Sequence, residues 1–382
     1  MHGVGAGATG PRIWRVLGDK RGDNGQVEMI ADALASARGW QSELRHLEMQ
    51  PQWVLGKPRV AASLAHIDLG RSDALTPPWP DLILTSGRRP ANAALWIKAQ
   101  SGGRARIVLV GKPSGMMDRF DLIVTSAETL PAPFPNVLNI GLPLMRVDPA
   151  RLDEGRAEWQ AALAALPRPL VAFLIGGPTN PFVYDGRVTA RLRARIAQVL
   201  AEGGTPYVVG SRRTPEGLVA ALAKGQAGDV PRFDWHAPEG GNPYAGLLAL
   251  ADRFVVTGDS ISMQVEVARI GKPLEILPLP AGGLGGLDHA RRQAASWLFQ
   301  PPRDGAAGER ARIALARALY RLRLMPQTRH FPRFHQTLIA RGLATWIGET
   351  GPAARADTAT ETDADMARIL ARIDRLLPRE AQ

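Results

Sequence analysis

The chain has 382 residues, of which 45% are hydrophobic and 22% are charged, and its 47 Lys and Arg outnumber its 36 Asp and Glu. This length exceeds what one hydrophobic core usually serves, so we expect two domains. The absence of cysteine excludes disulfides, thiolate nucleophiles and cysteine-ligated metals, and it fits a reducing compartment. The net charge of +11 indicates either a basic surface without a specific role or attraction to an anionic partner.

Targeting and nucleic-acid motifs are not recognised in the sequence. Residues 1–11 are Gly-rich, are predicted to be disordered and lack the apolar stretch of a secretory signal. The longest apolar runs, such as LVAFLI, are far shorter than the ~20 residues of a membrane-spanning helix. Zinc spacings, basic zippers and aromatic-basic RNA motifs are absent. We therefore expect a cytoplasmic protein without a nucleic-acid partner, and its basic charge suits peripheral contact with an anionic inner membrane.

Residues 12–147 are predicted to form a first α/β domain. Short apolar runs alternate with helical patterns there, which is typical of a parallel sheet covered by helices on both faces. The runs predict strands at 13–18, 81–87, 105–111, 120–126 and 136–141, and helices that start near residues 27 and 91.

Residues 148–168 contain several Pro and are predicted to link this domain to a second α/β domain at 169–330. The second domain is predicted to contain strands at 170–177, 205–211, 232–238, 253–260 and 273–279, and helices at 187–202, 215–224, 243–251 and 261–270. From residue 285 onward only helices are predicted, at about 285–299, 309–325 and 332–347, and residues 331–382 are interpreted as C-terminal helices with a polar tail.

The stretch TGDSISMQVEVARIGKP (257–273) places a polar turn and a helix start directly after a predicted strand. Free N–H groups at a helix start favour an anion, and Ser260 and Ser262 add hydroxyl donors. Asp259 would repel a phosphate, so we interpret it as a helix cap or as an acceptor for a sugar hydroxyl. Glu266 suits a vicinal diol such as that of a ribose. The alternative is an ordinary cap with an exposed Glu.

The stretch GDKRGDNGQ (18–26) follows the first predicted strand. Lys20 offers a point charge for a phosphate, and Asp23 is a candidate general base. The stretch has neither the Walker spacing nor the G-x-G-x-x-G spacing of dinucleotide sites. The alternative is a solvated turn with a capping Asp. The other candidate residues of this loop are Gly18, Asp19 and Gln26.

Two motifs with paired arginines, Ser-Gly-Arg-Arg and Ser-Arg-Arg, end further predicted strands, where guanidinium groups would bind phosphate or form surface ion pairs. Their likeness is either chance or a sign of two similar halves. Two glycines after the first strand of the second domain would permit close approach to a ligand, or form a plain turn. An Asn and a Tyr at the start of the helix predicted at 243–251 would contact a base or sugar, although capping by the Asn fits equally. These residues are Ser86, Arg88 and Arg89; Ser211, Arg212 and Arg213; Gly176 and Gly177; and Asn242 and Tyr244.

Patterns for other chemistries are weak. The seven His residues form no HExxH motif, so we expect no zinc site, and the absence of G-x-S-x-G argues against a serine hydrolase. Asp363-Ala-Asp365 has the D-x-D spacing of metal-dependent transferases with another fold. It opens a predicted helix, and we interpret it as a cap.

The motifs TGDSISM, GKP, GDKRGDNGQ, SGRR, SRRTP and NPY resemble those of the ELM1-like family across roughly residues 12–280. That family is similar in outline to the GT-B glycosyltransferases. The resemblance implies two Rossmann-like domains facing a central cleft, with C-terminal helices packing back across the hinge. It places Ser260 and Ser262 at the donor phosphates and Glu266 at the donor ribose. Asp259 departs from the Gly- or Ser-rich GT-B turn.

The same resemblance implies an acceptor side built from 18–26, 86–89 and 111–116, opposite a donor side built from 176–179, 211–214, 242–244 and 259–266. The predicted reaction moves a sugar from a nucleotide-diphosphate donor to an acidic saccharide or lipid acceptor of the envelope, without a metal or a bound cofactor. Asp23 is the predicted base, and Arg212, Arg213 and the helix start at Ser260 stabilise the leaving diphosphate. The alternatives are a peripheral scaffold that recruits a dynamin-like GTPase to a membrane, and a nucleotide-sugar 2-epimerase.

Overall fold

The computed structural model describes eight stretches of the chain: 10–53, 60–111, 116–228, 230–282, 285–300, 308–325, 328–349 and 358–377. Most of the predicted disordered N-terminus, residues 1–9, lies outside them. The chain divides into two compact units. The first unit comprises Met1–Arg146, Ala295–Thr328 and Glu361–Gln382, and the second comprises Val147–Ala294 and Arg329–Thr360.

The first unit is built on a six-stranded parallel sheet in the order β2-β1-β3-β4-β5-β7. Strands β3 and β5 are buried along their whole length, as expected for strands covered by helices on both faces. The strands of this part of the chain are β1 (Ile13–Leu17), β2 (Ser42–His46), β3 (Leu82–Ser86), β4 (Arg106–Val110), β5 (Leu122–Ser126), β6 (Thr129–Leu130) and β7 (Val137–Ile140).

The second unit is built on another six-stranded parallel sheet, in the order β10-β9-β8-β11-β12-β14. The remaining strands are β8 (Leu170–Ile175), β9 (Thr205–Gly210), β10 (Arg232–Phe233), β11 (Arg253–Thr257), β12 (Leu274–Leu277), β13 (Thr328–Arg329) and β14 (Thr345–Trp346). Two parallel six-stranded sheets with covering helices confirm the predicted α/β class.

The helices between and after these strands are α1 (Arg21–Arg38), α2 (Arg88–Gln100), α3 (Pro149–Ala164), α4 (Gly186–Ala201), α5 (Leu218–Ala223), α6 (Tyr244–Leu250), α7 (Ile261–Arg269), α8 (Gly285–Leu298), α9 (Glu309–Arg321), α10 (Phe331–Ala340) and α11 (Thr358–Leu376). No helix among the described residues is both long enough and apolar enough to cross a membrane.

The division of the chain differs from the predicted one in two places. The predicted linker at 148–168 is mostly α3, which packs on α6 in the second unit, where Gly155 lies against Ala245 and Gly246 against Trp159. Residues 295–328, predicted to belong to the second domain, join the first unit because their apolar side chains complete its core. Those side chains are Ala295, Leu298, Phe299, Ala316 and Tyr320.

The last helix also completes the first unit. Ile369, Leu370 and Ile373 of α11 enter the same apolar cluster as Ile30 and Leu34 of α1. An ion pair of 2.9 Å between Arg38 Nη2 and Asp374 Oδ2 lies beside this contact. The helix-rich C-terminal region is therefore divided between the two units, since α10 belongs to the second unit.

Several element boundaries correct the sequence prediction. Helix α1 begins at Arg21 rather than near residue 27, and strand β2 was not predicted. The predicted helix at 332–347 ends at Ala340, and β14 follows. Gly342 takes a left-handed conformation with φ of 67°, which ends a helix without the steric cost that a side chain brings.

Candidate functional site

The second sheet reverses its order between β8 and β11, because β9 and β10 lie on one side of β8 and β12 and β14 lie on the far side of β11. This is the 3-2-1-4-5-6 order of dinucleotide-binding sheets, in which ligands bind outside the carboxyl ends of the strands at the reversal. The chain leaves β8 at Gly176 and leaves β11 at Gly258. The polar stretches singled out in the sequence therefore lie at the reversal point of their own sheet.

Asp259 organises the loops at this edge through a buried carboxylate. Its Oδ2 accepts a hydrogen bond of 2.8 Å from the Gly177 N–H, and its Oδ1 accepts one of 2.7 Å from the Tyr184 hydroxyl. Arg213 Nη2 lies 3.6 Å from Oδ2, and the Asp259 side chain is 0% exposed. Asp259 therefore does not cap α7, whose start has no side-chain cap, so that predicted role is wrong, and its contact with a sugar hydroxyl stays a prediction.

Gly176 and Gly177 are required by this packing. A Cβ at Gly176 would overlap the Asp259 carboxylate, and a Cβ at Gly177 would overlap the Arg213 carbonyl. The Gly176 N–H donates to Thr257 Oγ1 at 2.8 Å. The missing side chains therefore let three loops of the chain approach one another, and the close approach of a donor to these glycines stays a prediction.

The two arginines of the Ser211 motif have different environments. Arg213 donates to Thr179 Oγ1 at 2.5 Å and faces Asp259, so it anchors the loops. Arg212 is exposed and has no partner among the described residues. The Ser211 N–H and hydroxyl both contact Thr214 Oγ1, at 2.7 and 3.1 Å, which closes the turn. Arg212 is thus the guanidinium free to meet an anion.

Helix α7 starts without a side-chain cap and leaves its first N–H groups available. Ser260 precedes the helix and is buried, whereas Ser262 is exposed in its first turn. Gln264 is fully buried and donates to the Thr257 carbonyl at 3.0 Å. Of the two predicted hydroxyl donors, Ser262 is the one that solvent reaches freely.

Glu266 and Tyr244, both predicted from sequence, are in direct contact. The Tyr244 hydroxyl donates a short hydrogen bond to Glu266 Oε2. Burial raises the pKa of the Glu266 carboxyl, and burial followed by the Glu266 charge raises the pKa of Tyr244. No described residue donates to Glu266 Oε1, so a carboxylate oxygen remains available. Asn242 Oδ1 accepts from the Tyr244 N–H at 3.0 Å, which supports the capping interpretation of Asn242.

His335, which was not predicted from the sequence, packs against the turn that follows β11. Its Nε2–H donates to the Gly258 carbonyl at 2.8 Å, and its side chain is buried. A Cβ at Gly258 would lie 2.9 Å from His335 Cε1, so the turn and the imidazole are closely packed. The two residues are 77 positions apart, and no local pattern in the sequence connects them.

We expect His335 to make the protein acid-sensitive. Burial lowers its pKa from 6.5 to about 4. Between these two pH values the imidazole is therefore protonated in the unfolded chain and neutral in the folded chain. The free energy of unfolding should therefore fall by about 3 kcal/mol from this group as the pH drops from 6.5 to 4. Denaturant unfolding of wild type and His335→Gln, measured at pH 7 and pH 4, checks this. Equal pH dependence of the two proteins would contradict it.

In the first unit, the predicted residues also lie at a reversal point, between β1 and β3. Asp23 Oδ2 lies 3.6 Å from the position of a Cβ on Gly87, which precedes α2 with φ of 81°. The position of a Cβ on Gly18 likewise lies 3.5 Å from Pro90 Cγ. The ends of β1 and β3 therefore bring the two predicted acceptor-side segments together.

The side chains of these segments differ in availability. Lys20 and Asp19 are exposed, Asp23, Gln26 and Arg88 are half-buried, and Lys20 precedes α1 without capping it. Ser86 is buried, and its hydroxyl donates to the Val110 carbonyl at 2.8 Å. This hydrogen bond links β3 to β4 and does not involve the acceptor substrate. The Arg89 carbonyl accepts a hydrogen bond from the buried His66 at 2.9 Å. Residues 112–115 of the predicted acceptor segment lie outside the described residues.

Two further sequence interpretations are resolved by the structure. The two motifs with paired arginines follow β3 and β9, which occupy different places in sheets of different order, so their likeness is not a structural repeat. Asp365 of the D-x-D segment accepts from the Gly141 N–H at 2.8 Å and pairs with Arg368. It therefore fastens α11 to the first unit instead of capping its own helix. The described residues contain no cluster of His, Asp or Glu that could hold a metal ion.

The chain is thus a two-unit α/β protein in which each parallel sheet carries polar loops at its reversal point. It matches the family model described as Mitochondrial fission ELM1 over residues 22–290. The chain belongs to this family, which confirms the resemblance seen in its motifs.

Comparison with individual proteins agrees with that assignment. Mitochondrial fission protein ELM1 of Arabidopsis thaliana is 28% identical over 241 residues, covering 57% of this chain and 54% of the plant protein. The chain thus spans about half the length of the plant relative. The uncharacterized protein RP120 of Rickettsia prowazekii (strain Madrid E) is 24% identical over 302 residues, covering 70% of this chain and 83% of that protein.

Solved structures include similar folds. A glycosyltransferase from Rickettsia africae ESF-5 has a TM-score of 0.46 and 11% identity, with 97% of this chain and 99% of that chain covered.

Proposed function

We propose that the protein is a glycosyltransferase that moves a sugar from a nucleotide-diphosphate donor to an acidic saccharide or lipid acceptor of the envelope, without a metal. The observation that carries this proposal is a set of three groups at the carboxyl edge of the second sheet: the uncapped start of α7, the unpaired Arg212, and the Glu266–Tyr244 pair. The family assignment is compatible with this function but does not require it.

The donor diphosphate is proposed to meet the start of α7. Free N–H groups and the helix dipole attract an anion there, Ser262 adds a hydroxyl donor, and Arg212 adds a guanidinium that binds phosphate through paired hydrogen bonds. These groups would offset the charge that develops on the leaving diphosphate. Asp259 is no obstacle to a phosphate in this scheme, because the Gly177 N–H, Tyr184 and Arg213 satisfy its carboxylate.

The donor ribose is proposed to meet Glu266. A carboxylate accepts hydrogen bonds from both hydroxyls of a vicinal diol, and the Tyr244 hydrogen bond fixes one of its oxygens while leaving the other available. In the first unit, Asp23 is the proposed general base for the acceptor hydroxyl and Lys20 the proposed contact for an acidic acceptor.

We expect one nucleotide-sugar among UDP, GDP and ADP derivatives to bind and raise the melting temperature, and a CMP-sugar, which has a single phosphate, to bind weakly or not at all. Arg212→Ala and Glu266→Ala should each weaken its binding about 10- to 100-fold, because each removes a charged hydrogen-bond partner. Isothermal titration measures both affinities. Arg232→Ala and Glu154→Ala remove exposed charges from the first residue of β10 and from α3, and they serve as matched controls.

Turnover separates the transferase from its alternatives. Asp23→Asn should stop sugar transfer while leaving donor affinity unchanged, and product analysis would reveal an epimerase as an altered free nucleotide-sugar. If no nucleotide-sugar binds, or if Glu266→Ala binds as wild type does, the proposed donor site is wrong.

A membrane scaffold that recruits a dynamin-like GTPase is the second candidate function. The name of the plant relative favours it, since that protein is described as a mitochondrial fission protein. A scaffold has no requirement for an uncapped helix start beside an unpaired arginine. Capture of a dynamin-like GTPase by the wild type and equally by Arg212→Ala, without nucleotide-sugar binding, would favour the scaffold.

A further inference from the structure

A concentrated group of exposed apolar side chains lies on α8 and α9. Seven large hydrophobic side chains are exposed among the described residues, and four of them, Trp297, Leu315, Leu322 and Leu324, lie between positions 297 and 324 with exposures of 59%, 49%, 67% and 65%. Single exposed apolar side chains are ordinary, whereas a concentration of them marks an interaction surface. These four residues, with the exposed alanines 311, 314 and 318, are called the α9 patch.

Most of the α9 patch lies along one side of α9 and in the turn that follows it, whereas Trp297 belongs to α8. The apolar positions recur with the period of a helix, which places them on one side of α9. They are positions 311, 314, 315, 318 and 322. The other side of the helix belongs to the core of the first unit through Ala316 and Tyr320. Arg312 joins α9 to the end of α8 by donating to the Leu298 carbonyl at 2.5 Å. The exposure is therefore a property of the folded helix.

Basic side chains lie beside the α9 patch. Arg310 and Arg323 are exposed and form no ion pair within the described part of the chain. Arg321 is 58% exposed and pairs with Asp118 at 3.1 Å. The acidic residue of the first turn, Glu309, is 15% exposed and pairs with Arg312. Two exposed cations without an ion pair in the described part of the chain, Arg310 and Arg323, therefore lie at the two ends of the patch.

The turn after α9 strengthens this arrangement. Arg323 has φ of 60°, a left-handed conformation that is uncommon for residues other than glycine. In this turn Leu322, Arg323 and Leu324 are all exposed. The left-handed conformation ends α9, since Arg323 follows the C-cap and the Leu324 N–H donates to the Leu319 carbonyl at 3.0 Å. Two leucines and a cation thus point to solvent at consecutive positions of an ordered helix end.

We propose that the α9 patch docks on the surface of an anionic lipid bilayer. Leucine and tryptophan side chains partition into the boundary between headgroups and acyl chains, while arginines beside them attract anionic headgroups. A second copy of the chain fits this surface less well, because a two-fold contact would bring Arg310, Arg321 and Arg323 of both copies together. The proposal does not depend on the reaction, since a transferase and a scaffold would both use such a surface.

Sedimentation of the full chain with lipid vesicles tests the proposal. The wild type should bind vesicles of phosphatidylcholine with phosphatidylglycerol at low salt, bind vesicles of phosphatidylcholine alone at least about tenfold more weakly, and dissociate as salt rises. Leu322→Ser with Leu324→Ser should lose binding, whereas Leu44→Ser with Leu69→Ser, which are 44% and 61% exposed elsewhere on the first unit, should retain it.

Charge variants test the contribution of the arginines next to the α9 patch. Arg310→Gln with Arg323→Gln should weaken binding to the anionic vesicles about tenfold or more, and Arg191→Gln with Arg232→Gln, exposed in the second unit, should leave it unchanged. Melting temperatures should stay constant, because all these side chains are exposed.

Three results would overturn the proposal: vesicle binding that survives the paired leucine substitutions, equal binding to neutral and anionic vesicles, or a dimer seen by light scattering that the leucine substitutions dissociate. Nucleotide-sugar binding is measured without vesicles, so it can succeed or fail independently.

Discussion

An Asp259→Ala variant is expected to lose about 1 to 3 kcal/mol of the free energy of unfolding and to bind no nucleotide-sugar. The substitution leaves the buried Gly177 N–H without its acceptor, whereas the Tyr184 hydroxyl loses Asp259 but keeps Thr257 as an acceptor at 3.0 Å. Arg213, which is 53% exposed, contributes little to this cost, because water can solvate it. Denaturant unfolding followed by titration with the nucleotide-sugar measures both effects.

Two further variants show whether Asp259 positions the loops or contacts a ligand. Asp259→Asn should recover most of the stability and the affinity, because its oxygen can accept from Gly177 while its amide donates to the Tyr184 hydroxyl, which then donates to Thr257 at 3.0 Å. Asp185→Ala removes only the cap of α4 and should cost about 1 kcal/mol. Lost affinity in Asp259→Ala with unchanged stability would show direct ligand contact instead.

The buried ion pair between Arg195 and Glu275 is expected to give the other large effect. Arg195 Nε and Nη2 donate to the two oxygens of Glu275 at 2.9 and 2.7 Å, and the Gly348 N–H donates to Oε2 at 2.9 Å. The hydrogen bond to Glu275 raises the pKa of Arg195, so the guanidinium stays charged in a buried place. Glu275→Leu leaves Arg195 with only the longer ion pair of 3.5 Å to Glu202 and removes the acceptor of the Gly348 N–H. It should therefore lower the free energy of unfolding by about 3 kcal/mol.

Replacing both partners separates the pair from the cost of an unpaired charge. Arg195→Met combined with Glu275→Leu should restore most of the lost stability, because apolar side chains of similar volume pack without desolvating a charge. Arg146→Met breaks an exposed pair with Asp32, whose side chains are 62% and 56% exposed, and should cost less than about 1 kcal/mol. A double variant as unstable as Glu275→Leu would contradict this reasoning.

The sequence alone was sufficient for most of the buried strands and for many of the polar residues at their carboxyl ends. Buried parallel strands are continuous apolar runs, so β3 and β8 were recognisable without neighbours in space. Strand β2 was missed because SELRH contains no such run: it lies at the edge of its sheet, and its second and third residues are exposed. Tyr244 and Glu266 were both predicted to contact the donor, but the contact between their two side chains was not predicted.

The role of Asp259 could not be read from its own segment. Its partners Gly177 and Tyr184 lie 82 and 75 residues away, and a Gly-Asp-Ser turn has the same local pattern whether its carboxylate faces solvent or other loops. The packing role of Gly176 and Gly177 was missed for the same reason, because the atoms that exclude a Cβ belong to distant loops. The prediction that both sets of loops share one cleft stays a prediction.

The contribution of α11 to the first unit has a consequence for biosynthesis. Arg38 and Asp374 are 336 residues apart, so a ribosome must release nearly the whole polypeptide before the apolar face of α1 meets its last partner. Until then Ile30 and Leu34 lack part of their covering, which leaves nascent chains open to aggregation and to chaperone binding. A premature stop codon that removes only the final helix should therefore yield a protein that the cell degrades.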